Sequence, residues 1–361
     1  MCFGSDKPAG ASAYALSEIG IQLYCQKGAE SVCVNLRSPT FNGTGSERHR
    51  SAMIRKSLVA ASRSPKLEHL VSTSPLSRAV VNRFVAGNTT MDAITKAAEL
   101  RDKGLYSTLD RLGEDTHDRA QADATTQAYV ELLHGIGAAG LSEWAEVSVK
   151  LSAVGQALPD IGQQVALENA LTICRAANEV ATTVTFDMED HTTIDSTLDI
   201  LSKVREQFPS TGGVLQAQLY RTEDDIKKHS FSGSRIRLCK GAYAEGPDVA
   251  HIERLDIDKS YVRSMRALVD SQGYPMFATH DPRLIQIGQA LTLRSGRAKD
   301  SYEFQMLLGV RPEEQERLAG LGYKVRVYVP FGNQWYPYLM RRMAEKPANL
   351  ALFLRSLIQR S

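Results

Sequence analysis

Two adjacent arginines, Arg341 and Arg342, carry the strongest anion-binding chemistry in this chain. They stand in the stretch Phe331-Gly332-Asn333-Gln334-Trp335-Tyr336-Pro337-Tyr338-Leu339-Met340-Arg341-Arg342-Met343-Ala344-Glu345. Gly332 and Asn333 suit a turn and a helix start, and Pro337 then falls in the first turn, where its missing N–H costs little. Residues three and four apart share a helical face, so Tyr338 neighbours both arginines and Glu345 lies one turn beyond them. Two guanidiniums beside aromatic rings make a clamp for a small carboxylate, because each can donate two parallel hydrogen bonds. In isolation the same spacing also describes an exposed helix with a weak Arg–Glu pair. What precedes it decides between the two.

Upstream, one phrase repeats. A short β-rich run ends in polar residues and a helical pattern follows. The runs are Tyr106 to Asp110, Glu146 to Leu151, Thr183 to Asp187, Val214 to Leu219, Arg235 to Cys239, Pro275 to Thr279, Tyr302 to Leu307 and Lys324 to Val329. Right-handed βα units in series build a parallel sheet, and eight of them close into a barrel. A doubly wound sheet also alternates, but no G-x-G-x-x-G opens the first unit. Before the repeat, 47–86 has a helical pattern broken by Pro65 and Pro75. Asn88-Thr89-Thr90 start a helix over Met91 to Lys103, and Gly104 stops it. Residues 1–50 form an N-terminal arm, partly disordered or holding a short helix over Ser17 to Tyr24, and 51–361 hold the barrel and its N-terminal helices.

In such barrels chemistry sits at the C-terminal strand ends. Here those ends carry Asp110, Arg111 and Glu114; Lys150 and Ser152; Asp187, Glu189, Asp190 and His191; Gln216, Gln218 and Arg221; Arg237, Lys240 and Tyr243; Thr279, His280 and Asp281; Gln305; and Tyr328. Polar side chains inside apolar strands, such as Lys150, Arg237 and Gln305, cost free energy unless paired. Several around one mouth point to a polar ligand and favour the clamp reading of the last helix.

Composition excludes other classes. A formal net charge of +2 over 361 residues, without a basic stripe, gives no nucleic-acid signature. The five cysteines, Cys2, Cys25, Cys33, Cys174 and Cys239, are odd in number and never at C-x-x-C spacing, which fits a reduced cytoplasmic setting without a disulfide framework. No metal is expected, since His191 and Asp190 lack any ligand spacing such as H-E-x-x-H. No run approaches the ~20 apolar residues of a membrane span, and the first residues read as neither a secretory signal nor a transit peptide.

The segments Val147-Ser148-Val149-Lys150-Leu151-Ser152, Phe186-Asp187-Met188-Glu189-Asp190, Leu215-Gln216-Ala217-Gln218-Leu219-Tyr220-Arg221 and Arg237-Leu238-Cys239-Lys240-Gly241-Ala242-Tyr243 occur in order. They are followed by Ala278-Thr279-His280-Asp281, Phe304-Gln305-Met306-Leu307-Leu308-Gly309, Tyr328-Val329-Pro330 and Tyr338-Leu339-Met340-Arg341-Arg342. In this series, from about Val81 to Leu354, the chain resembles the monofunctional, FAD-dependent proline dehydrogenase family. The resemblance implies a distorted (βα)8 barrel whose last helix lies over the C-terminal mouth. It implies oxidation of L-proline to Δ1-pyrroline-5-carboxylate, non-covalent FAD, and a quinone acceptor met by peripheral contact at the inner face of the membrane. Arg341 and Arg342, joined by Lys150, would grip the proline carboxylate, and Glu345 would pair with the arginines. Asp187 would position the site, Tyr328 and Tyr338 would pack on the ring, and Leu238 and Ala242 would shape the pocket. Arg237 would sit by flavin N5, with Gln216, Lys240, Gly241, Ala242, Tyr243, Thr279, His280 and Gln305 helping to hold FAD. Cys239 and Gln218 depart from the family pattern, the second at the flavin pocket edge.

The implied chemistry is hydride loss from the ring carbon next to nitrogen. The cofactor carries that step, and the protein binds, orients and tunes. Two alternatives stand beside it: a flavoenzyme for 4-hydroxyproline or another cyclic imino acid, and a barrel that has lost FAD. From sequence, Lys150 also suits an ion pair with Asp187, and His280 suits a structural turn.

Overall fold

The computed structural model describes residues 81–113 and 116–345, the last five as backbone alone, and the backbone of 11–16, 21–26 and 32–36. They fall into two compact units, one running from Phe84 to Asn333 and the other comprising the described residues outside that span.

The first unit is a closed barrel of eight parallel strands. In chain order its elements are α1 (Thr90–Arg101), β4 (Tyr106–Arg111), α2 (Arg119–Ala138), β5 (Ala145–Lys150), α3 (Gly162–Glu179), β6 (Val184–Asp187), α4 (Ile194–Arg205) and β7 (Gly212–Gln216). There follow α5 (Thr222–His229), β8 (Arg235–Cys239), α6 (Arg254–Asp270), β9 (Tyr274–Ala278), α7 (Pro282–Arg294), β10 (Glu303–Leu307), α8 (Pro312–Gly320) and β11 (Lys324–Phe331). Each strand pairs with the next, and β11 returns to β4 to close the ring. The expected (βα)8 barrel is the observed one, and the helix expected after Thr89 starts on a capping box between Thr89 and Asp92.

Side chains alternate across a strand, and here the alternation divides chemistry sharply. One set, including Leu109, Val147, Val149, Phe186, Leu215, Ile236, Leu238, Phe277, Phe304, Met306 and Val327, belongs to the large apolar core. The other set is polar: Glu146, Ser148 and Lys150 on β5, Arg235 and Arg237 on β8, Glu303 and Gln305 on β10, Arg326 and Tyr328 on β11. Barrels of this class usually fill their interior with branched apolar residues. In this one hydrogen bonds cross the interior instead.

In the second unit, β1 (Ala11–Leu16), β2 (Ile21–Gln26) and β3 (Val32–Leu36) form an antiparallel sheet in the order β1-β2-β3. The short helix expected over Ser17 to Tyr24 is thus replaced, from Ile21 onward, by a strand. The alternation Ile21-Gln22-Leu23-Tyr24 and the β-branched Val32 and Val34 are period-two patterns that outweigh the helical reading. The last helix, α9 (Trp335–Glu345), begins after Gly332, whose φ of 116° suits the turn expected there. Of the helical pattern expected over 47–86, only 81–86 is described: 81–84 is helical, and Val85 and Ala86 are not. Among the described residues no helix is long and apolar enough to cross a membrane.

Candidate active site

β4, β5, β6, β8 and β11 bring six groups together toward their C-terminal ends. Asp187 receives three donors: Arg237 Nη1 at 2.5 Å and Ser148 Oγ at 2.9 Å on Oδ1, and Tyr328 OH at 2.7 Å on Oδ2. The Arg237 guanidinium also lies 5.5 Å from the centre of the Tyr328 ring. Lys150 Nζ donates to both oxygens of Asp110, at 2.9 and 3.0 Å. Strand register places Lys150 opposite Asp187, yet its contacts go to Asp110. The Lys150–Asp187 ion pair weighed from sequence is therefore not the one formed.

Burial sets the electrostatics. Asp110 is 1% exposed, and desolvation pushes its carboxyl above the usual range against the opposing pull of Lys150. Desolvation alone would lower Lys150, but the carboxylates of Asp110 and Asp187 outweigh it and hold the ammonium charged. The Tyr328 phenol is driven well above its ordinary value, first by burial and then by Asp110 and Asp187. It remains a donor.

Beneath this layer the polar chain continues. Arg237 Nε donates to Gln305 Oε1 at 2.5 Å, and Gln305 Nε2 donates to Glu303 Oε1 at 2.5 Å. Glu303 accepts two bonds from Arg326, at 2.8 and 3.1 Å. Glu146 accepts from Arg235 at 2.6 Å, from Thr183 at 3.0 Å and from Thr185 at 3.1 Å. Burial would raise the Glu146 carboxyl, but Arg235, Arg326 and Arg237 together pull it down to about 2. Four carboxylates and four cations thus pair one to one: Asp110 with Lys150, Asp187 with Arg237, Glu146 with Arg235, Glu303 with Arg326.

The remaining expected residues divide. Gln216 donates to the carbonyls of Met188 and Glu189, at 3.2 and 2.9 Å, and its buried Oε1 has no hydrogen-bond partner among the described residues. Lys240 pairs with Asp258 and lies 3.6 Å from Asp281. Gly241 turns the chain at φ 110°, where an added Cβ would meet the Gln218 side chain at 2.2 Å. Ala242 and Tyr243 follow it on an exposed loop. Thr279 Oγ1 accepts from the Asp281 amide at 3.1 Å. His280 Nε2 accepts the Leu307 amide at 2.9 Å, which ties the end of β9 to β10. Gln305 spends its amide inside the barrel rather than at the rim. Leu238 is buried in the apolar core beside Arg237. Cys239 is held unreactive, its thiol pushed up to about 11 by burial.

Tyr338 is buried on α9. The side chains of Arg341, Arg342 and Glu345 lie outside the described residues, as does Glu114. Asp110, Ser148, Glu146 and Glu303 were not assigned roles from the sequence. Their signal there was a polar residue two positions from another inside an otherwise apolar strand.

Comparison with known proteins gives concordant results. The family model described as proline dehydrogenase matches residues 93–353. Proline dehydrogenase of Deinococcus radiodurans is 36% identical over 85% of this chain and 98% of its own length. Proline dehydrogenase 1 of Bacillus subtilis strain 168 is 35% identical over 77% of this chain and 90% of its own. Among solved structures, proline utilization A from Bdellovibrio bacteriovorus, inactivated by N-propargylglycine, superposes with a TM-score of 0.72 at 21% identity. That match covers 83% of this chain and 37% of that one.

Proposed function

Because the chain belongs to the proline dehydrogenase family, a family of oxidoreductases, we propose that it oxidises L-proline to Δ1-pyrroline-5-carboxylate using non-covalently held FAD and passes the electrons to a quinone. One observation carries the reading: Lys150, Asp187, Arg237 and Tyr328 converge at one barrel mouth, on the positions that the resemblance assigns to substrate and cofactor. The residues fit the cofactor. Gln216 Oε1 is a buried acceptor with no donor among the described residues, at a cost of about 1–3 kcal/mol that a ring N–H of the flavin would relieve. Gln216, Lys240, Gly241, Ala242, Tyr243, Thr279 and His280 would hold FAD, and Gln305 would serve through Arg237. When bound, the flavin supplies the hydride acceptor at N5.

The protein's part is orientation and charge. Arg341 and Arg342 bind the substrate carboxylate, with Glu345 setting their geometry, and Lys150, already paired with Asp110, plays the lesser part. Holding the ring at reacting distance supplies much of the rate. Tyr328 and Tyr338 confine the ring, and Asp187 fixes both Tyr328 and Arg237. Arg237 offers a buried cation where negative charge develops. The ring carbon would give up hydride only when the neighbouring amine is neutral and its lone pair can form the C=N bond, so turnover rises toward mildly alkaline pH. The quinone, and a cytoplasmic location with peripheral contact at the inner membrane face, rest on the family resemblance.

An anaerobic visible spectrum of the purified protein, before and after L-proline, tests the proposal. Bleaching of a flavin band supports cofactor, substrate and half-reaction together. Bleaching by 4-hydroxyproline alone would move the substrate, and a colourless protein that takes up no FAD would refute the redox reading.

A further inference from the structure

Glu303 has no part in the reaction described above, yet it is 1% exposed, charged, and at the opposite end of β10 from the mouth. We propose that Glu303 is a positioning residue for the reaction, acting through the Gln305 amide to orient the Arg237 guanidinium. The inference rests on the reading that places Arg237 beside the flavin.

The geometry dictates direction along the chain. An ionised carboxylate only accepts hydrogen bonds. Glu303 Oε1 therefore requires the NH2 end of Gln305, which donates to it at 2.5 Å. The oxygen end of Gln305 is thereby turned to Arg237 Nε, which donates to it at 2.5 Å. In the flipped amide two N–H groups would face each other at Arg237, and two oxygens would face each other at Glu303. A carboxylate at 303 forbids that flip, whereas a neutral amide there would permit it. Glu303 is itself held by two bonds from Arg326 and one from Tyr274 OH at 3.3 Å. Gln305 is 3% exposed, so no bulk water competes for its amide. An apolar residue would fill the space without the cost of burying a charge. The charge gives the chain its polarity, and the guanidinium it orients also donates to Asp187.

The test uses Glu303→Gln, Glu303→Asp, Arg237→Met and the double variant E303Q/R237M. Two readouts are taken: the Arg237 Nε–H resonance of the purified protein labelled with 15N-arginine, and the anaerobic rate of flavin reduction by L-proline. E303Q is expected to shift or broaden that resonance and slow reduction roughly tenfold, less than the loss of a whole hydrogen bond to a charged group because Arg237 keeps its bond to Asp187. KM for proline should stay within about twofold. E303D, which keeps the charge, should recover part of the rate, and E303Q should slow the R237M protein no further. Should E303Q fail to fold, Gln305→Leu cuts the same link without touching Arg326 and should give the same slowing. An unmoved Arg237 resonance, an unchanged rate, or an equal slowing in the R237M background would overturn the proposal. If R237M itself reduces at the native rate, the assignment of Arg237 to the flavin fails as well, which separates that failure from failure of Glu303 alone.

Discussion

Replacing Asp187 by Asn removes one charge and almost no volume from the centre of the mouth. Three donors lose their ionised acceptor: Arg237 Nη1 at 2.5 Å, Tyr328 OH at 2.7 Å and Ser148 Oγ at 2.9 Å. The Asn oxygen can continue to accept from Arg237 and Ser148. Its NH2 then faces the Tyr328 hydroxyl, which must turn its hydrogen aside and accept a weaker, neutral bond instead of donating to a carboxylate. Deleting one partner of a buried ion pair costs about 3–5 kcal/mol. The cost here is smaller, because an acceptor oxygen remains and Glu146 still lies 4.0 Å from Arg237. One hydrogen bond to a charged group, about 2 kcal/mol, is the appropriate scale. At an m-value of about 3 kcal/mol/M, the first urea transition should fall by roughly 0.7 M. If the same interactions hold Arg237 and Tyr328 in the transition state, anaerobic flavin reduction by proline should slow about 30-fold. Flavin content, read from the visible band, should remain near native. A variant that loses the stability but reduces within twofold of native would show that the network is structural only. A variant native in both would refute the energetic reading of the three bonds.

Lys150→Met should cost about 3–5 kcal/mol by leaving Asp110 buried without its cation, and adding Asp110→Asn should restore most of it; additive losses in urea unfolding would contradict the pairing. Glu146 is depressed to about 2 in the fold from an ordinary value of 4.5, so its contribution is complete above about 4.5 and is lost as pH falls toward 2. Glu146→Gln should therefore flatten the rise of stability with pH across that window by about one proton, measured by urea titration at successive pH values; an unchanged slope would contradict it. Arg341→Met and Arg342→Met should each raise KM for proline at least tenfold, the scale of one lost charge-assisted hydrogen bond, with flavin content retained; loss of flavin at constant KM would refute the clamp.

The barrel was legible because each strand announces itself locally. Arg235–Cys239 was bounded to the residue, and Lys324 and Leu307 mark strand ends where expected. The strand expected over Val214 to Leu219 instead begins at Gly212, because paired glycines read as a break. Packing explains them: a Cβ at Gly212 would come within 2.5 Å of Thr185 Oγ1, and one at Gly213 within 2.4 Å of Leu201 Cδ2. The partners of the polar residues were not legible. Lys150 meets Asp110 across 40 positions, and Arg326 meets Glu303 across 23. Such choices are made by ring closure and by which strands stand opposite, neither of which a local pattern contains.

The pairing inside the barrel bears on how a substrate anion is balanced. Each interior cation named above already has its carboxylate, so the column from Glu303 to Lys150 is neutral as it stands. Lys150 in particular is neutralised by both oxygens of Asp110. An amino-acid carboxylate brought to the mouth therefore finds little uncompensated positive charge on the strands. In a desolvated setting an unmatched anion is costly, so the matching cations have to come from beyond the eight strands. That is the part the proposal gives to Arg341 and Arg342. The same logic limits Lys150→Met: its effect on KM should be smaller than that of either arginine variant, since it removes half of an internally balanced pair rather than a charge held for the substrate.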